Sequence, residues 1–160
     1  MDKNARFGAK SKKKFWHGYK KHVSVDMQSG MINKVAITNA NVIDGEGFKH
    51  FAPKQGAVNA DKGYCDKNVQ MVAKANNLNL CAIKKNNMKD KNHDLDRWYS
   101  GLCSPYERVF FNQSKRTRYC GLAKNQFHSF MQTITFNFKR LVVLTEENVQ
   151  SVTNQAPLTT

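Results

Sequence analysis

The chain has 160 residues, of which 40% are hydrophobic, and this is enough for one folded domain with its own core. Composition therefore excludes a disordered tail as the whole protein. Lys and Arg number 26 against 12 Asp and Glu, giving a formal net charge of +14. Such an excess attracts polyanions, and nucleic acid is the expected partner. A basic surface that only faces water is the alternative.

The four cysteines are widely spaced and contain no C-x-x-C pair, which argues against a zinc knuckle and a compact disulfide framework. They are Cys65, Cys81, Cys103 and Cys120. We expect reduced thiols in a cytoplasmic, nucleoid-associated protein. The longest aliphatic runs are far shorter than the ~20 residues of a membrane span, and the charged N-terminus is not followed by an apolar segment. No membrane contact is predicted.

The N-terminal part of the chain predicts a loop followed by a β-hairpin. Residues Met1–Lys14 are polar and basic without a hydrophobic period, which is typical of a loop. Apolar residues alternate with polar ones from Phe15 to Val25, a turn follows at Gln28–Gly30, and a second strand covers Met31–Thr38. We expect this hairpin at the edge of a sheet.

The middle of the chain predicts a strand–helix–strand unit, after a short helix around Asp44–His50. Gly56–Ala60 is a short strand of small residues, Asp66 can cap the next helix, and Leu78–Ile83 returns as a strand. Two strands joined through a helix in this way run parallel.

The C-terminal part predicts helices. Lys84–Arg97 is a charged loop that runs into a short helix, and Ser104–Glu107 has the composition of a helix start, with Ser as N-cap, Pro next and Glu three residues later. A long helix with a core-facing side is predicted from the spacing of Phe127, Phe130, Met131, Ile134, Phe138 and Leu141. Residues from Thr145 onward lack a period and predict a polar tail.

Two carboxylates are candidates for a functional site. Asp61 ends the strand Gly56–Ala60, where α/β sheets place ligand-binding groups, although it could equally serve only to begin the turn with Lys62 and Gly63. Glu107 by itself fits a capping box, which needs no further function. No pair of histidines has metal-ligand spacing.

Basic residues follow both carboxylates and could hold phosphates, or could form a solvated helix face. The predicted DNA contacts are Lys62, Arg108, Lys115, Arg116, Arg118 and Lys124. Aromatic residues could stack on unpaired bases, but ordinary core packing is the favoured interpretation of them. They are Trp16, Tyr19, Tyr64 and Trp98.

Four segments, in this order, resemble bacterial insertion-sequence transposases of the DDE type. They are Phe-Trp-His-Gly-Tyr-Lys at 15–20, Thr-Asn-Ala-Asn-Val-Ile-Asp at 38–44, Ala-Asp-Lys-Gly-Tyr at 60–64 and Ser-Pro-Tyr-Glu-Arg-Val-Phe at 104–110. The resemblance covers residues 1–141. It implies an RNase H-like mixed sheet with flanking helices, and it favours a catalytic role for Glu107 over capping alone.

By this resemblance Asp61 is the second Asp and Glu107 the Glu of a catalytic triad that binds two divalent ions, Mg²⁺ or Mn²⁺. Hard cations of this kind prefer oxygen ligands, and two of them can stabilise both the attacking and the leaving oxygen of a DNA phosphodiester. The implied partners are the DNA ends of an insertion element. Self-association and pairing with a full-length transposase both stay open.

The chain also departs from the family pattern. The family's first Asp lies upstream of a segment resembling residues 2–8, so here it would fall before Met1, and Asp2 and Asp26 are poor substitutes. An accessory Tyr–Arg–Glu–Lys pattern is out of register, since Tyr99 and Lys115 each lie one place away.

We therefore expect an N-terminally truncated transposase that lacks its first, central strand. Residues 1–144 would be a partial catalytic domain and residues 145–160 a polar tail. Losing a central strand costs several backbone hydrogen bonds, so we expect marginal stability. The alternatives are a catalytically inactive DNA-binding remnant and, from another class, an RNA-binding accessory protein.

Overall fold

The structure, a computed structural model, describes residues 2–11, 13–89, 91–111 and 116–155. These residues form a mixed α/β fold, as predicted. In chain order the elements are β1 (Arg6–Ser11), β2 (Lys14–Val25), β3 (Ile32–Asn39), α1 (Asp44–Phe51), β4 (Gly56–Ala60), α2 (Lys67–Ala75), β5 (Leu78–Ala82), α3 (His93–Cys103), α4 (Arg108–Phe111) and α5 (Leu122–Gln155). Short 3₁₀ turns cover Lys62–Tyr64 and Ser104–Glu107.

The strands form two sheets, an antiparallel one of β1, β2 and β3 and a parallel one of β4 and β5. The long strand β2 pairs with β1 through its first part and with β3 through its second part, from Tyr19 to Val25. The predicted hairpin and the predicted parallel crossover are both confirmed. In the crossover Asp66 caps α2 as expected, because its side chain accepts a hydrogen bond from the backbone N–H of Val69.

The prediction of a loop over the first residues is wrong, because Arg6–Ser11 forms strand β1. All of β1 except Gly8 is exposed, so the strand needs no alternating apolar side chains. Its position is set by close packing on β2: a Cβ atom at Gly8 would lie 2.6 Å from the ring of Trp16 and 2.7 Å from the carbonyl oxygen of Ala40. Only glycine fits there.

The core lies between the helices α1 and α2 and the hairpin strand β3. Phe48 and Phe51 of α1 pack against Val69 and Ala73 of α2, and Leu78 of β5 closes the cluster. Val69 is fully buried, and Phe48 is 1% exposed. This core holds α1, α2 and β5 together and so fixes the end of β4, where Asp61 lies.

Helix α5 is present as predicted, but the prediction of its buried face is wrong. The apolar residues expected to face the core are all exposed, from 46% for Ile134 to 65% for Phe127. The opposite, polar face lies against β3, where Ser129 and Thr133 are buried. The helix also continues through Gln155, so the expected irregular tail is wrong for residues 145–155; residues 156–160 lie outside the described part.

The reason for this orientation is that β3 has a free backbone edge. The side-chain amide of Gln126 accepts a hydrogen bond from Ile37 N–H and donates to the carbonyl of Val35. Asn137 makes the same pair of bonds with the backbone of Ile32. An unpaired strand edge needs such partners, which apolar side chains cannot supply.

Among the described residues, none of the helices has both the length and the apolar composition needed to cross a membrane. The four cysteines are free thiols.

Candidate active site

Asp61 lies directly after β4, as predicted. The strand ends at buried Ala60, and Asp61 keeps an extended backbone and an exposed side chain. One carboxylate oxygen accepts a hydrogen bond from the backbone N–H of Lys62, 2.6 Å away. Asp61 therefore begins the turn, as one of its two interpretations proposed, and its exposed carboxylate lies beyond the end of the strand.

Glu107 is exposed at the end of the 3₁₀ turn Ser104–Glu107. The predicted helix start at Ser104 is wrong, because α3 runs into this turn without a break and Ser104 has helical φ and ψ angles of −55° and −42°. An N-cap residue is extended. Glu107 is therefore not the third residue of a capping box.

Asp61 and Glu107 line the same cavity, which has a volume of about 900 Å³. Cys103 lies on its wall. Burial raises the pKa of the Cys103 thiol, and the negative charges of Asp61 and Glu107 raise this pKa further. The fold therefore places two carboxylates that are distant in sequence on the wall of one cavity.

The cavity runs between two strands. One wall is the second part of β2, from Lys20 to Val25, and the other is β4, from Ala57 to Ala60. Within the described residues, this part of β2 pairs only with β3, and β4 pairs only with β5. Each strand therefore lines the cavity and has a partner strand on one side among the described residues.

Asp44 is a further carboxylate on the cavity wall, as is Asp26, and sequence reasoning did not assign Asp44 to the site. It forms an ion pair with Lys20, whose Nζ lies 2.9 Å from its Oδ1 and also donates to the carbonyl of Val42. A Cβ atom at Gly63 would lie 2.8 Å from Asp44 Oδ2, so the turn after Asp61 passes directly over this carboxylate. The available signal in the sequence was that Asp44 ends the segment 38–44, one of the four segments that resemble the transposase family.

A buried hydrogen-bond network supports the turn that carries Asp61. His22, 2% exposed, contacts Thr38 Oγ1 at 2.8 Å with one ring nitrogen and Tyr64 Oη at 3.1 Å with the other. Burial lowers the pKa of His22, and the nearby charge of Asp44 opposes this shift. Burial raises the pKa of Tyr64, because it disfavours the charged phenolate, and the negative charges of Asp44 and Asp61 raise this pKa further. The network joins β2, β3 and the turn.

Tyr64 is a core aromatic, as favoured from the sequence, since its ring packs on Phe48 and Phe51. The hydroxyl of Tyr19 donates to the carboxylate of Asp2, which also accepts from Gly121 N–H. These hydrogen bonds lower the pKa of Asp2 to about 2, the bond from Gly121 being the larger cause. The interpretation as core packing is wrong for Trp98, which is 60% exposed.

The carboxylate set is incomplete for a two-ion site. No three His, Cys, Asp or Glu side chains in the described part of the chain form a group able to hold a metal ion. Asp2 bonds to Tyr19 and Gly121, and Asp26 accepts from the backbone and hydroxyl of Ser29. Asp61 and Glu107 provide the oxygen ligands that Mg²⁺ prefers, and one or two carboxylates with water and phosphate are its common ligands.

The structure describes the side chains of four of the six predicted DNA-contacting residues. Exposed side chains are found at Lys62, Arg116, Arg118 and Lys124. Arg108 lies in α4, but its side chain is outside the description, and Lys115 lies outside the described residues altogether.

Sequence reasoning missed three lysines that line the cavity: Lys10, Lys20 and Lys21. Burial lowers the pKa of Lys21 to about 8, and its Nζ donates to Gln132 Oε1 of α5. Lys20 and Lys21 lie on β2, whose alternation was the available signal, whereas Lys10 lies on β1, which has no such pattern.

Residues 2–126 match the model of a family described as the transposase DDE domain. No curated protein and no solved structure gives a significant match.

Proposed function

The chain belongs to the DDE transposase family, and we propose that it binds DNA with Asp61 and Glu107 as two carboxylates of a metal-dependent site. The family match indicates a role in transposition, and members of this family generally use divalent metal ions. The observation that carries the proposal is that Asp61 and Glu107 line one cavity, next to Cys103.

The arrangement of strands supports an RNase H-like core with one position open. In such a sheet a central strand lies between the hairpin and the strand that carries Asp61. The free edges of β2 and β4 border a cavity at this place. A strand between them would complete both ladders, at the usual spacing of about 4.8 Å to each neighbour.

In the site itself, Asp61 and Glu107 would hold a divalent cation, which would supply positive charge for a DNA phosphate oxygen. Lys62, next to Asp61, would contact the neighbouring phosphate as a point charge. The Lys20–Asp44 ion pair and the His22–Tyr64 hydrogen bond would fix the position of the turn Lys62–Tyr64. The chain's own residues therefore bind and orient the DNA backbone.

We expect the two carboxylates alone to be insufficient for strand cleavage. Two ions need shared ligands, and the described residues provide no three-ligand group. Asp44 on the same cavity wall is held in an ion pair by Lys20, so catalysis would require a further carboxylate ligand. The chain alone would then act as the inactive DNA-binding remnant considered from its sequence. Nicking of element-end DNA by the purified chain with Mg²⁺, lost in Asp61→Ala, would disprove this.

The metal site can be tested through DNA affinity, without relying on catalysis. Without metal, Asp61 and Glu107 repel phosphates, so Asp61→Asn should tighten binding to duplex DNA in EDTA by a few-fold. With Mg²⁺ the wild type should gain affinity and Asp61→Asn should not. Asp94→Asn is the matched control, since Asp94 is an exposed acid that does not line the cavity. Equal responses of the two variants to Mg²⁺ would contradict the metal site.

The DNA surface can be tested by the salt dependence of the same binding. Alanine at Lys62, Arg116, Arg118 or Lys124 should lower the slope of log K against log[salt] by about 1 each. Arg108→Ala and Lys115→Ala test the two residues whose side chains are not described. Lys139→Ala removes the same charge from an exposed position of α5 and should leave the slope unchanged. Binding that is insensitive to salt, or stronger for RNA than for duplex DNA, would reject the proposal.

A further inference from the structure

Helix α5 carries a row of large apolar side chains that the fold leaves exposed, here called the apolar stripe. It consists of Phe127, Phe130, Met131, Ile134, Phe138 and Leu141. We propose that a second copy of this chain covers the apolar stripe, in an antiparallel pairing of the two α5 helices.

The stripe is not a surface that the chain's own sheet could cover by a small shift. Helix α5 is anchored on its other side by Gln126 and Asn137, which bond to the edge of β3 at two points three turns apart. Arg140 adds a third anchoring point, through a hydrogen bond from its Nε to the carbonyl of Ser29. Turning the stripe inward would break all of these bonds and leave the edge of β3 unpaired.

The spacing of the stripe suits a partner helix. Phe127, Ile134 and Leu141 are seven residues apart, with Phe130, Met131 and Phe138 between them, so the row stays on one face over four turns. Two such faces can interlock at a crossing angle of about 20°. A straight apolar row of this length fits another long helix better than it fits a compact ligand.

The exposed area is sufficient for a specific dimer. Six side chains of this size, each about half exposed, present roughly 600 Å² of apolar surface. Adjacent Val142, 55% exposed, adds to this. A standard interface covers about 800 Å² per partner. Monomeric proteins rarely leave a continuous apolar patch of this size in contact with water.

The charges of α5 favour the antiparallel direction. In a parallel pair, Lys124 and Lys139 would each lie beside the same residue of the other copy. In an antiparallel pair centred on Ile134, Lys124 lies opposite position 144, about 3 Å along the axis from Glu146 of the other copy. Each end of the interface then joins a cation with an anion, twice by symmetry.

The net charge predicts how association depends on salt. Two chains of +14 repel each other, and added salt screens this repulsion. Dimerisation should therefore strengthen with salt, whereas DNA binding should weaken. The opposite signs separate a failure of this proposal from a failure of the proposed DNA binding.

Sedimentation equilibrium without DNA tests the dimer, at high-micromolar protein and about 0.5 M NaCl, where the screening length is ~4 Å. The wild type should be dimeric, and Ile134→Glu with Phe138→Glu should be monomeric while keeping its helical circular dichroism. Lys139→Glu, which changes the net charge by the same two units at an exposed position of the same helix outside the stripe, should stay dimeric. A monomeric wild type, or a double variant that still dimerises, would overturn the proposal.

The direction of pairing has its own test. Lys124→Glu should weaken the dimer at least several-fold, since the carboxylate introduced on each copy would face Glu146 of the other copy, and adding Glu146→Lys should restore it. Restoration supports the antiparallel pair. An equal effect of Lys124→Glu with and without Glu146→Lys would overturn it, and so would species larger than dimers.

Discussion

The position of Lys21 on β2 makes stability depend on pH in a specific direction. Burial lowers the pKa of Lys21 from 10.5 to about 8, so the unfolded chain binds more protons than the folded chain between these values. The free energy of unfolding should therefore rise as pH increases from about 8 to 10.5, and the full cost of burying the charge is present below pH 8.

Lys21→Met keeps the apolar stem and removes the charge. At pH 7 it should be more stable than the wild type by about 1 kcal/mol, since water screens the half-exposed ammonium. The difference should disappear by about pH 10.5. Urea unfolding of both proteins across this range measures it. Lys54→Met, at an exposed loop position, should follow the wild-type curve in parallel; a similar pH-dependent gain in that control would refute the assignment to Lys21.

At the scale of the helices, two glycines provide a matched pair. Alanine in place of glycine stabilises a helix interior by about 0.5–1 kcal/mol where space allows. At Gly101 of α3 an added Cβ would meet nothing within 4 Å, so Gly101→Ala should stabilise. At Gly47 of α1 it would lie 2.7 Å from the ring of His22, so Gly47→Ala should destabilise by about 1–3 kcal/mol. Thermal unfolding of both variants decides, and a stabilising Gly47→Ala would show that His22 can move.

The elements also show what local sequence can predict. Helix α2 was predicted because its buried residues follow its own period, and strand β4 because its small residues suit a strand flanked by helices. Strand β1 was missed because an exposed strand leaves no such pattern. For α5 the period was correct and the buried face wrong. Hydrophobic spacing does not show that the neighbouring edge of β3 needs the amides of Gln126 and Asn137.

The site was predictable residue by residue but not as an arrangement. Asp61 at a strand end follows from local pattern, and the four resembling segments selected Glu107. That both line one cavity, with Asp44 held by Lys20 beside them, depends on how α3 packs on β4 and how α1 packs on β2 and on the turn after Asp61. Neither spacing nor composition contains that information.

Across the whole molecule, the gap between β2 and β4 bears on the expectation of marginal stability. Unpaired backbone groups are costly when buried dry, but a cavity of about 900 Å³ has room for roughly 30 waters. Water can therefore satisfy both free edges. The two sheets then depend on α1 and α2, which join them through the core around Phe48 and Val69.

This arrangement predicts an alternating pattern of amide hydrogen exchange, measurable residue by residue by NMR. Along Lys20–Val25 the amides that face β3 should be protected, and the intervening ones, which face the cavity, should exchange at least about tenfold faster. Ile32 and Ile37 of β3 should be protected, since Asn137 and Gln126 accept their hydrogen bonds. Uniform protection along β2 would mean that its second edge is paired as well, and the proposed open position in the sheet would then not exist.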